Sequence, residues 1–164
     1  MIKKYLHLVS STRSQIIIFV LLNICGLIFI FLPHNIFTNM LDLELYYGKE
    51  NVVSNFNAIG PEGRSVYVLS SLILDTLYPI LYTSLFLGAY VKLFKSSGVI
   101  LFIPLIAFSF DILENLQITR LVLNFPNVND THVSLASMAT SFKWIAILIT
   151  VSVLIYGIIK NSIN

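Results

Sequence analysis

The feature that most constrains this chain is a set of apolar stretches long enough to cross a lipid bilayer. A helix rises about 1.5 Å per residue and the hydrocarbon core is about 30 Å thick, so a span needs about 20 mostly apolar residues. Four stretches qualify, at residues 15–32, 65–91, 98–123 and 133–159. Only 11% of the 164 residues are charged, whereas soluble domains carry about 25%. The sequence therefore predicts an all-α, polytopic membrane protein.

We expect one domain, residues 1–164, folded as a bundle of four transmembrane helices. The breaks between spans contain proline or glycine, at Pro33, GPEG (60–63), KSSG (95–98) and Pro126. Residues 33–64 are predicted to form a long loop. Within this loop the apolar positions 36, 40, 43 and 47 have helical spacing, whereas residues 41–45 alternate as in a strand. We favour a short helix at the membrane interface.

Basic residues predict the orientation of the spans, because Lys and Arg collect in cytoplasmic loops. Most of those outside the spans precede the first span, separate the second from the third, or follow the fourth: Lys3, Lys4, Arg13, Lys92, Lys95 and Lys160. The 33–64 and 124–132 loops hold the acids that lie outside the spans. Both termini are therefore expected in the cytoplasm, with the protein in the plasma membrane and the 33–64 loop outside.

Several classes of function are disfavoured by the sequence. The net charge is only +2 and no basic run contains interleaved aromatic residues, so no nucleic-acid partner is expected. The single cysteine, Cys25, cannot form an internal disulfide. The motifs of phosphate loops, zinc proteases and serine hydrolases are missing from the sequence. The expected partners are membrane lipid and, since four helices scarcely enclose a pathway, a second copy or a larger membrane complex.

Four charged residues lie deep inside the predicted spans, away from the span ends: Asp75, Asp111, Glu114 and Lys143. Counting from the span ends puts Asp75 and Lys143 about 15 Å below the outer surface. Asp111 and Glu114 lie about 20 to 24 Å from the inner surface by the same count. One charge at the bilayer centre costs at least about 2.5–3.5 kcal/mol. We therefore expect these side chains to face one another rather than lipid.

Helical faces extend this cluster to a predicted ligand-binding site between the second, third and fourth spans. On those faces, further polar residues accompany the four charges. The predicted set is Asp75, Asp111, Glu114, Asn115, Lys143, Tyr78 and Tyr82, with Arg64 at the mouth. Pro79 leaves the carbonyl of Asp75 without its helical donor, which frees that oxygen for another partner. The first span offers only Asn23 and Gly26 and is interpreted as a packing scaffold.

Three functions remain open, because three acids face one lysine. The first is an outward-opening polar cavity that binds a cation or a small polar ligand, as in a small proton- or ion-coupled transporter. The second is a membrane-embedded enzyme acting on a lipid-linked or phosphate-containing substrate at the outer leaflet, with the acids holding Mg²⁺ or sharing acid–base roles. The third is a structural or accessory subunit, in which the charges only hold helices together. Na⁺ and Mg²⁺ are the candidate cofactors.

Overall fold

The computed structural model describes residues 2–95 and 98–163, and within these ranges it contains helices and no strand. These ranges contain five α-helices, α1 (Ile2–Ser10), α2 (Thr12–Ile30), α3 (Lys49–Phe94), α4 (Phe102–Asn124) and α5 (Asp130–Ile163). Three short 3₁₀ turns occur at Phe37–Asn39, Leu41–Leu43 and Val99–Leu101. The predicted all-α class is confirmed, whereas the predicted count of four helices is not.

Four of the helical segments are long and apolar enough to cross a membrane: α2, α3, Val99–Asn124 and α5. Each overlaps one of the predicted spans, with ends that differ by several residues. Large apolar side chains are exposed along all four, including Leu21, Leu72, Leu116 and Leu148. A soluble chain rarely exposes so continuous an apolar surface, so the exposed faces have the character of lipid-facing surface.

The predicted 33–64 loop is shorter than expected, because α3 begins at Lys49. Val52, Phe56 and Ile59 are buried at helical spacing, which stabilises this early part of α3 by packing. Gly60 then interrupts the helix with φ +68° and ψ 178°, a conformation that glycine adopts without steric cost. Pro61 disfavours helical geometry in the residue before it and suits the first position of a new helix. The GPEG sequence is therefore a break within α3 rather than a loop.

Residues 31–48, here called the cap, connect α2 to α3 across one end of the molecule, here called the cap end. Instead of the expected interfacial helix, the cap forms two 3₁₀ turns, since its segment folds onto the helices. Ile36, Leu41 and Tyr47 are buried almost completely. The backbone N–H of Tyr47 donates to Ser137 Oγ (3.0 Å), and Ser141 Oγ donates to the Leu45 carbonyl (2.8 Å). The cap is thus attached to α5 through backbone groups that lipid could not satisfy.

The N-terminal helix α1 was not predicted. It packs beside α3 near the end opposite the cap, where Tyr5 Oη hydrogen-bonds Ser84 Oγ (2.7 Å). Gly88 permits the close approach, because a Cβ there would lie 2.2 Å from the Val9 carbonyl oxygen. With nine residues, α1 is too short to be recognised as a span, and its burial of Leu6 and Val9 depends on α3.

Packing between the long helices is closest for α4 and α5. Small residues on α5 are buried there, among them Ala136, Ala139 and Ala146, so the two backbones approach closely. The hydroxyl of Thr150 donates to the Ala146 carbonyl (2.7 Å), which removes a cost of burying it. In contrast, only 11% of an apolar 18-residue stretch of α2 is buried inside the protein, against 44% of the corresponding stretch of α3.

Candidate functional site

A cavity of about 630 Å³ lies between α2, α3, α4, α5 and the cap. Most of its lining is apolar, and the ionisable groups on its wall are Asp42, Asp75, Asp111 and Lys143 with the phenols Tyr78 and Tyr82. The apolar lining comes mainly from α2 and the cap, including Phe19, Leu22, Leu27, Ile30, Phe37 and Met40. The expected cavity was polar and bounded by three spans. The first span, expected to be only a scaffold, forms a wall.

Lys143 forms an ion pair with Glu114 Oε2 across the α4–α5 interface. Lys143 is 6% exposed and Glu114 is fully buried. The ammonium of Lys143 also donates to the backbone carbonyl of Asp42 (3.2 Å), and Trp144 Nε1 donates to the same oxygen (3.1 Å). Lys143 therefore joins α4, α5 and the cap, and Glu114 lies behind the cavity wall rather than on it.

Asp42 is a buried acid that the sequence prediction did not include in the site. It lies in the cap, only 5% exposed, and its Oδ1 accepts a hydrogen bond from Tyr67 Oη (3.0 Å). Tyr67 Oη in turn accepts one from the backbone N–H of Leu41 (3.1 Å). A signal was present in the sequence, since Asp42 interrupts the apolar run Met40–Leu43. An acid in a loop is ordinarily exposed to solvent, so this signal alone does not predict burial.

Asp111 is held on one side only. Tyr82 Oη donates to its Oδ2 (3.0 Å), which fixes the carboxylate against α3. Its Oδ1 has no hydrogen-bond partner within the described residues, although the side chain is 4% exposed. A buried polar atom without a partner costs about 1–3 kcal/mol, so a ligand atom that donated to Oδ1 would recover part of this cost.

Asp75 lines the cavity one helix away from Asp111. Pro79 cannot donate to the Asp75 carbonyl, and Asn115 Nδ2 donates to that oxygen instead. Asn115 therefore acts behind the cavity wall, where it joins α4 to the proline-interrupted turn of α3. Within residues 2–95 and 98–163, no side chain donates a hydrogen bond to the Asp75 carboxylate.

Arg64 does not reach the cavity. Its guanidinium donates to the Phe56 carbonyl (2.8 Å) and lies 4.6 Å from the centre of the Phe125 ring. These contacts hold it at the break in α3, near the cap end. Of the predicted site residues, the cavity wall brings together Asp75, Tyr78, Tyr82, Asp111 and Lys143, whereas Glu114 and Asn115 support the wall and Arg64 lies apart.

The charges of this region do not balance. Four carboxyl groups, of Asp42, Asp75, Asp111 and Glu114, surround Lys143, whose ammonium is already paired with Glu114. Carboxyl groups therefore outnumber the single ammonium group, and those of Asp75 and Asp111 lie on the cavity side of the ion pair. In the described part of the chain, no three Asp, Glu, His or Cys side chains form a group that could hold a metal ion.

The cavity opens to the side of the molecule along α2. Phe19, Leu27 and Ile30 line it and remain 56%, 53% and 51% exposed. On the other edge, Trp144 and Ile147 of α5 are partly exposed. The end opposite the cap is closed by a packed cluster of Leu6, Leu87, Tyr90 and Leu101, and Tyr90 Oη donates to the Thr150 carbonyl (2.7 Å). The cavity is therefore accessible along α2 and beside Leu43 of the cap, which lines it and is 48% exposed, rather than through the opposite end.

Comparison of the chain with protein-family models, with curated proteins and with solved structures found no match. The geometry of the cavity is therefore the basis on which a function is proposed.

Proposed function

We propose that this chain is an integral membrane protein with four spans and cytoplasmic termini, whose cavity binds a cationic ligand or one that donates hydrogen bonds. The observation that carries the proposal is the Asp111 carboxylate, which is buried on a 630 Å³ cavity with Oδ1 unpartnered within the described residues. The Asp75 carboxylate lines the same cavity. A ligand ammonium group would donate charge-assisted hydrogen bonds to both carboxyl groups.

A purely structural role is supported for only part of the cluster. The Lys143–Glu114 ion pair and the hydrogen bond from Asn115 to the Asp75 carbonyl join helices without using the carboxyl groups of Asp75 and Asp111. A cluster that only held helices together would need one acid for one lysine. The additional acids, Asp75 and Asp111, are those for which a ligand role is proposed.

Transport across the membrane is a further step, which the packing at the opposite end makes demanding. The cluster around Tyr90 would have to separate before a ligand could leave in that direction. We therefore propose binding as the primary function, and transport would appear as flux of the ligand into liposomes that contain the protein.

Thermal unfolding in detergent tests the binding proposal. A ligand that binds only the folded state raises its stability by RT ln(1 + [L]/Kd). At equal ionic strength, ethylammonium chloride is expected to raise the melting temperature by more than sodium chloride. Asp75→Asn and Asp111→Asn should remove the difference, whereas Glu62→Gln, which changes an exposed acid, should retain it. Equal effects of the two salts that persist in Asp75→Asn and Asp111→Asn would refute the proposal.

A further inference from the structure

We propose that the ligand is a single-chain amphiphile with a protonated primary amine, which enters the cavity sideways from the lipid. This inference rests on the proposed cationic site and adds the apolar part of the molecule. It comes from the direction in which the polarity of the cavity changes and from the position of its opening.

Along the α3 wall, the lining changes from a carboxyl group to an apolar ring with increasing distance from the cap. Because α3 runs away from the cap, Asp75, Tyr78, Tyr82 and Phe86 lie at successively greater distance from it, and all four line the cavity. From Asp75 to Phe86 the wall extends about 16 Å, at about 1.5 Å per residue. On this wall the Asp75 carboxyl group and the Tyr82 hydroxyl, which donates to Asp111, lie nearer to the cap than the apolar ring of Phe86.

The α2 wall has the same length and carries no charge. Phe19 and Ile30 both line the cavity, which again separates its ends by about 16 Å at about 1.5 Å per residue. Phe29 lies edge-on to Tyr78 and Cys25 Sγ donates to the Leu74 carbonyl (3.7 Å), so the middle of the α2 wall lies beside the Asp75 turn of α3 and its Phe19 end lies farther from the cap. A small hydrophilic cation would leave this wall without contacts, whereas an alkyl chain would cover it.

The opening indicates the source of the ligand. The edge residues Phe19, Leu27 and Ile30 of α2 are apolar and exposed, which suits contact with hydrocarbon rather than water. The alkyl chain of an amphiphile that enters from lipid moves from one apolar environment to another. The chain therefore fills the apolar part of the cavity, and the amine distinguishes this ligand from other lipids. Primary amines have a pKa of about 10.4, as in lysine, so the head group is charged at neutral pH.

Quenching of fluorescence from Trp144 tests this inference directly, because Trp144 is the only tryptophan and lines the cavity. The probes are ω-bromododecylamine, ω-bromododecanol and ω-bromododecanoic acid in lipid nanodiscs, compared at equal mole fraction in the lipid. Quenching by the amine should saturate and be reversed by dodecylamine, and it should exceed quenching by the alcohol and the acid. Equal quenching by all three would mean unselective contact with lipid chains and would overturn the inference.

Substitutions separate the head-group site from the chain compartment. Asp111→Asn should lower the binding affinity for the amine about 10- to 100-fold, the range expected for losing a charge-assisted hydrogen bond. Gly26→Leu adds bulk to the α2 wall beside Tyr78, where a Cβ meets only ordinary contacts. This substitution should lower the affinity for dodecylamine about 10-fold or more, because the added side chain overpacks the alkyl-chain compartment. The thermal stabilisation by ethylammonium should be unchanged. Ile24→Phe adds bulk to α2 outside the cavity lining and serves as its control.

Failure of this inference is distinguishable from failure of the proposed function. Stabilisation by ethylammonium without selective quenching by ω-bromododecylamine would retain the cationic site and reject the amphiphile. Equal weakening of both amines by Gly26→Leu, or no weakening of either, would also reject the chain compartment. Absence of a response to both amines would reject the cationic site itself.

Discussion

The two sides of the cavity are built on different principles. On the α4–α5 side, a buried ion pair between Glu114 and Lys143 is combined with close packing of small residues. On the α2 side, the wall carries no charged side chain, and only 11% of an apolar 18-residue stretch of that helix is buried. The framework of the molecule is therefore on one side, and the surface that can yield to a ligand is on the other.

The largest expected effect comes from breaking the ion pair. Lys143→Met leaves the Glu114 carboxylate buried without its partner and removes a donor to the Asp42 carbonyl. The free energy of unfolding in detergent should fall by about 3–5 kcal/mol, the usual cost of removing one partner of a buried pair. The measurement is a denaturant titration monitored by circular dichroism.

Two further variants show whether burial is the cause. Lys49→Met breaks an exposed ion pair with Asp130 (3.4 Å) and should cost no more than about 1 kcal/mol. Combining Lys143→Met with Glu114→Met replaces both charges and should recover much of the loss, since apolar replacements of buried pairs are often neutral. Equal losses from Lys143→Met and Lys49→Met would contradict the division between the two sides.

A smaller effect tests whether the cap belongs to the framework. Tyr67 is fully buried, and its hydroxyl joins the Leu41 N–H to the Asp42 carboxylate. Tyr67→Phe leaves both groups without this partner and should reduce the free energy of unfolding by about 1–3 kcal/mol. Tyr46→Phe removes the hydroxyl of an exposed cap residue and should leave that free energy unchanged. If Tyr67→Phe reduces the free energy of unfolding no more than Tyr46→Phe does, the cap is not fixed through Tyr67.

The sequence predicts best those features that depend on local composition. The lengths of the apolar segments indicate four helices able to cross a membrane, and residue counts place Asp75, Asp111 and Lys143 at comparable depths. Each inference needs only the rise of a helix. The shared cavity wall follows from hydrocarbon disfavouring separate charges.

Features that depend on tertiary packing were not predictable in the same way. Asp42 is buried because the cap folds onto α5, and nothing within a loop sequence specifies that docking. Arg64 has the helical phase of Asp75, but the break at Gly60 gives its guanidinium a nearby carbonyl and an aromatic ring instead. The packing of α1 against α3 depends on Gly88, which has no side chain to block the approach of Val9, and this contact is not evident from the sequence.

The smallest expected effect on stability is that of Asp111→Asn, and it gives the sharpest contrast with Lys143→Met. The amide keeps an oxygen that can accept from Tyr82 Oη, while the charge next to the unpartnered Oδ1 is removed. The free energy of unfolding without ligand should therefore change by no more than about 1 kcal/mol, measured by the same denaturant titration. A loss as large as that of Lys143→Met would mean that Asp111 is part of the framework. Because a framework carboxylate has no need of a ligand, that result would also remove the distinction between the two sides of the cavity.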